Sequence, residues 1–168
     1  MTLLTAYHQL GLFIVRFQHL EDSINNLMEL TGEGDSESIR ILANELEYGK
    51  RLNTADVLFA RFVDLRTEHG SNAKADFHSL MVDLRKLGER RNELVHSRYH
   101  PWRDIEGGEG LLRINSQLHG KEGVRKEHEE ELQPNAFDSD LSRLTAAAQR
   151  IEDFRLRIIE WQDPESGP

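Results

Sequence analysis

The run Arg90-Arg91-Asn92-Glu93-Leu94-Val95-His96-Ser97-Arg98-Tyr99 gathers the side chains of this sequence best suited to chemistry on a phosphate. An imidazole, with a reference pKa near ~6.5, can take or give a proton near neutrality. A guanidinium matches the oxygens of a phosphate or carboxylate through paired N–H donors. At ~100° per residue, Arg91 falls in the centre of the stripe made by Leu84, Leu87, Leu94 and Val95, where an apolar residue is expected. A charge placed there needs a carboxylate, a phosphate or a wet interface to offset its desolvation. Asn92 and His96 stand four residues apart and share one edge of the stripe, while Gly88, one turn earlier, leaves room for an approaching group. Between Arg85 and Arg103 six cations face two carboxylates, in a chain whose net charge is -9. A basic island in an acidic chain is where a phosphate would go, although the acidity of the whole weighs against function on nucleic acid.

A second charge interrupts an apolar seam. Glu21 occupies the seven-residue series Tyr7, Ile14, Glu21, Met28, so Glu21 and Arg91 are expected to meet as a buried pair. Such a pair either steadies a reactive guanidinium or is a structural ion pair and nothing more. Arg90 and Arg98 add positive charge beside the set. His100 and Trp102 lie just beyond it; they could stack on a base, or Trp102 could pack the chain reversal at Pro101. His8, His19, His69, His78, His119 and His128 are scattered without ligand spacing and read as surface or capping residues.

Arg91, Asn92 and His96 resemble the hallmark of the HEPN (higher eukaryote and prokaryote nucleotide-binding) superfamily, an Arg followed by about four to six residues and a His, often with a polar residue directly after the Arg. Arg90 also stands at a permitted distance from His96, but the Asn follows Arg91. The likeness covers about residues 1 to 100 and the last helix. It implies a helical bundle and, in many members, metal-independent endoribonuclease chemistry in toxins or antiviral effectors, at a site shared across a two-fold dimer. Other members are inactive modules that bind a nucleotide or a protein partner. On this resemblance Arg91, Asn92 and His96 are catalytic, with Glu21 and Tyr99 in support and Arg90, Arg98, His100 and Trp102 near the RNA. The implied partners are a second copy, an RNA substrate and a cognate antitoxin or regulatory protein, with no cofactor and no metal. One subgroup is silenced by adenylylation of a Tyr two residues after the motif His; here Arg98 holds that place and Tyr99 comes one residue later. The chemistry suits the residues. A ribose 2′-OH attacking phosphorus needs a base, an acid for the leaving 5′-oxygen, and cations for the equatorial oxygens. Two copies of His96 could divide the proton transfers while Arg91 stabilises the phosphorane and Asn92 orients a phosphate oxygen or the imidazole.

The elements that must position these groups read mainly as helices. Leu3, Leu10, Phe17 and Ile24 recur every seven residues and predict a long helix over 2–30, closed by Gly32. A short helix follows over 38–47, with Asp35 or Ser36 as cap, and a third runs from Asn53 or Thr54 to about Glu68, closed by Gly70. Asn72 opens a fourth helix carrying the motif, which Pro101 stops. Glycines 107, 108, 110, 120 and 123, with Leu112, Ile114 and Leu118 alternating with polar residues, predict a loop and a β-hairpin over about 110–132. Its second strand carries Glu127, His128, Glu129, Glu130 and Glu131, a solvated edge in one reading and a divalent-cation ligand set in the other. Asn135 or Asp138 opens the last helix, with Leu141, Leu144, Ala148, Ile151 and Ile158 on one face.

The expected fold is therefore all-α, an up-and-down bundle of about five helices with a small β-hairpin inserted before the last, forming one domain over 1–163 with a flexible tail over 164–168. A chain of 168 residues can bury such a core without disulfides or a structural metal. Zero cysteine excludes thiolate zinc sites, iron–sulfur clusters and a cysteine nucleophile. No apolar stretch approaches the ~20 residues of a membrane span and no secretory pattern opens the chain, so a cytoplasmic location is the expectation. The GxxxxGK[ST], HExxH, GxSxG and GxGxxG patterns are all missing from the sequence.

Overall fold

The computed structural model describes residues 3–66, 72–119, 121 and 123–162. Among the described residues are five helices, α1 (Leu3–Thr31), α2 (Ser36–Asn44), α3 (Tyr48–Asp64), α4 (Asn72–Val95) and α5 (Asp138–Gln162). Between α4 and α5 lie three strands, β1 (Arg98–Arg103), β2 (Glu109–His119) and β3 (Val124–Leu132), and a 3-10 turn over Pro134–Phe137. Asp35 is the cap of α2, its carboxylate accepting the Ser38 N–H at 2.9 Å. α3 begins at Tyr48, five residues before Asn53; Glu47 precedes it without a side-chain cap bond, so this start carries no capping signal in the sequence. Gly70, His69, Gly120 and the tail over 164–168 lie outside the described residues. Among the described residues no helix is long and apolar enough to cross a membrane.

The all-α expectation is overturned. The fold mixes α and β, with a three-stranded antiparallel sheet of order β1-β2-β3 in place of a small hairpin. The added strand is β1, in the stretch where the fourth helix was expected to continue to Pro101. Pro101 is tolerated there because β1 pairs only with β2, so one side of the strand needs no N–H donors. The sheet also reverses the meaning of the alternation in β2. Leu111 and Arg113 are the buried residues, while Leu112 and Ile114 are partly exposed on the opposite face. A one-residue change of phase moves every side chain of a strand to the other side.

The chain divides into two compact units, Met1–Phe17 with Glu89–Arg143, and Gln18–Gly88 with Leu144–Pro168. The first holds the sheet over a core of Phe13, Phe17, Leu94, Leu111, Leu132 and Phe137. In the second, Phe59 stacks on Phe77 at 4.1 Å between ring centres, and Phe154 meets both edge-on. The seven-residue seam of α1 is fully buried at Phe17 and Ile24, but Tyr7 is 45% exposed. On α5, Ala147 rather than Ala148 joins Leu144, Ile151 and Ile158 in the core.

Candidate functional site

The motif sits on the last turn of α4 and the residue that follows it. His96 continues the helical pattern by one bond, its N–H donating to the Asn92 carbonyl at 3.0 Å. The carbonyls at a helix C-terminus lack intrahelical donors, and here Ser97 and the sheet supply them. Tyr99 Oη donates to the Leu94 carbonyl at 2.5 Å, and Ser97 Oγ to that of Glu93 at 2.5 Å. Arg113 Nη1 reaches Ser97 Oγ at 3.2 Å and the Glu93 carbonyl at 3.5 Å. These donors end the helix at Val95 and fix the start of β1. The Tyr99 hydroxyl is thus engaged inward, and burial pushes its pKa up to about 12.

Arg90 and Arg91 have different surroundings. Arg90 faces inward, with Nη1 and Nη2 each 2.9 Å from a Glu130 oxygen and Nε 2.9 Å from Asp140 Oδ2. Burial disfavours its charge, but Glu130 and Asp140 outweigh that and hold the guanidinium above its ordinary range. Glu130 also accepts from Arg113 Nε at 2.6 Å, and Arg113 is a buried charge. Burial raises the Glu130 pKa, yet Arg90 and Arg113 together bring it below the usual carboxylate range. The sequence places Arg90 beside the RNA; in the structure its donors are committed to carboxylates. Arg113, Glu130 and Asp140 were missed. The signal available was a lone arginine at the centre of an apolar strand facing one glutamate of an acidic run.

Arg91 has no carboxylate at ion-pair distance among the described residues. Its Nη1 donates to Asn92 Oδ1 at 3.0 Å, and its guanidinium carbon lies 5.8 Å from the centre of the Phe17 ring, a cation–π distance. Asn92 and His96 are exposed. Glu21, the partner expected for Arg91, has its Oε1 3.7 Å from Arg51 Nη1, with both side chains largely covered. The start expected at Asn53 or Thr54 leaves Arg51 in a linker; the helix that starts at Tyr48 carries Arg51 in its first turns. Gly88 leaves no open space either, since a Cβ there would stand 2.4 Å from Tyr48 Cε1.

Arg98, His100 and Trp102 alternate along β1 and share the face of the sheet opposite Tyr99. On β3 the solvated-edge reading holds for Val124 to Glu129 and for Glu131, all exposed, while Glu130 turns inward. Among the described residues no group of three or more His, Asp or Glu side chains stands in metal-ligand geometry.

Compared with known proteins, the chain matches no family model, no curated protein and no solved structure. The residues of α4 and the sheet carry the functional reading by themselves.

Proposed function

We propose that this protein is a metal-independent endoribonuclease of the HEPN type, acting through Arg91, Asn92 and His96. The observation that carries the reading is the contrast between neighbouring arginines. Arg90 is saturated by Glu130 and Asp140, whereas Arg91 has no counter-ion among the described residues and lies beside exposed Asn92 and His96. A partly exposed guanidinium held by Asn92 and the Phe17 ring is poised for an anion, and His96 can exchange a proton with solvent or substrate. In this scheme His96 of one copy removes the ribose 2′-proton and the resulting oxygen attacks the adjacent phosphorus. Arg91 neutralises the equatorial oxygens of the phosphorane, and His96 of a second copy protonates the departing 5′-oxygen. The products are a 2′,3′-cyclic phosphate and a 5′-hydroxyl.

The test is incubation of the purified chain with total RNA in EDTA, followed by assay for cyclic-phosphate ends. Cleavage that His96→Ala removes supports the reading. RNA that is bound and left intact by the wild type would make the chain a catalytically silent binding module, and cleavage retained by His96→Ala would move the reaction elsewhere.

A further inference from the structure

The outward face of the sheet carries three rows of different chemistry. Arg98 and His100 of β1 form a basic row, Leu112 and Ile114 of β2 a partly exposed apolar row, and Glu129 and Glu131 of β3 an acidic row. The register places them level. Arg98 is opposite Ile114, which is opposite Glu129; His100 is opposite Leu112, which is opposite Glu131. Among the described residues Arg98, Glu129 and Glu131 have no ion-pair partner, whereas Glu127 on the same strand is taken by Arg125 and Glu130 by Arg90 and Arg113. The basic and acidic rows lie two strand spacings apart, about 10 Å, too far to pair within one chain.

We propose that a second copy of this chain covers this face, the two sheets packing face to face about a two-fold axis parallel to the strands. That axis lays β1 of one copy on β3 of the other. Because the rows are level, Arg98 then meets Glu129 of the second copy and His100 meets its Glu131. Ile114 and Leu112 each meet their own counterparts in the gap of about 10 Å that separates packed sheets. A two-fold axis across the strands would instead set β1 on β1 and β3 on β3, like charge on like. The face is therefore self-complementary in one orientation only, as an isologous interface must be. Single-stranded RNA is the rival occupant, since His100 and Trp102 offer rings on which bases stack. The unpaired carboxylates of Glu129 and Glu131 repel a phosphate backbone from the same face, and the same carboxylates attract a second Arg98. Each His96 precedes β1 by two residues, so this pairing places both copies of the motif at one end of the dimer. The inference goes beyond the proposed reaction and stands on the sheet alone.

Sedimentation of the full chain at micromolar concentration tests it without any cleavage assay. The wild type should form a dimer that weakens as salt is raised. Arg98→Glu and Glu129→Arg should each weaken the dimer by about tenfold or more, because the symmetry reverses two contacts per substitution. The double variant Arg98→Glu/Glu129→Arg rebuilds both pairs with opposite polarity and should return to within about threefold of wild type. Both side chains exchanged are exposed, and far-ultraviolet circular dichroism checks that each variant keeps its helices. A monomeric wild type, a dimer indifferent to the single reversals, or no recovery in the double variant overturns the proposal. So does a non-cleavable 2′-O-methyl oligonucleotide that binds through Arg98 to a monomer.

Discussion

Replacing Glu130 by alanine should be among the most damaging single changes on the sheet. Its carboxylate accepts from Arg90 through both terminal nitrogens at 2.9 Å and from Arg113 at 2.6 Å. Without it Arg90 keeps Asp140 at 2.9 Å, but Arg113 keeps only neutral partners, the Ser97 hydroxyl and the Glu93 carbonyl. Arg113 is the most enclosed of the three, its side chain 8% exposed against 16% for Arg90 and 33% for Glu130. Breaking a buried pair by removing one partner costs ~3 to 5 kcal/mol, and the partial exposure of Glu130 sets the expectation at the low end, about 3 kcal/mol. For a chain of this size that lowers Tm by roughly 6 to 12 °C. The control is Glu33→Ala, whose pair with Arg61 is 67% and 63% exposed and should cost less than ~0.5 kcal/mol. Urea unfolding of both variants gives the comparison. Adding Arg113→Met to Glu130→Ala should recover part of the loss by removing the stranded charge. If Glu130→Ala unfolds no earlier than Glu33→Ala, the buried network is not contributing as its geometry requires.

Three further outcomes follow from the structure. The contribution of Glu130 depends on pH with a definite sign: its folded pKa lies below the unfolded value of ~4.3, so the stabilisation is complete above ~4.3 and is lost as pH falls through the folded value. Acid titration of Tm should therefore show wild type converging on Glu130→Gln at low pH, and parallel curves would contradict it. Gly88→Ala should destabilise by ~1 to 3 kcal/mol in urea, since its Cβ would displace the Tyr48 ring, whose hydroxyl donates to the Leu84 carbonyl at 3.0 Å. In an RNA cleavage assay His96→Ala should lose ~10²- to 10⁴-fold in rate with unchanged Tm, because His96 is exposed; a matching fall in Tm would mark a structural role instead.

Local patterns carried the long helices. The seven-residue spacing of Phe17 and Ile24, the cap at Asp35 and the apolar run from Phe77 to Leu87 are periodic or short-range signals, which a sequence states directly. The closeness of Arg91, Asn92 and His96 was legible for the same reason, since they lie within one and a half turns of each other. The end of α4 was not legible, because Arg113 reaches the Glu93 carbonyl and the Ser97 hydroxyl only once β2 has folded back beside β1. The partners of the charged residues were hidden by the same distance in sequence. Arg90 meets Glu130 forty residues on and Asp140 fifty residues on, and Glu21 meets Arg51, which the start of α3 at Tyr48 places on a helix. Composition and periodicity determine which side chains a helix or strand can offer. Which arginine is neutralised and which keeps no counter-ion among the described residues is decided by tertiary pairing, because an ion pair depends on distance in space and is blind to separation along the chain.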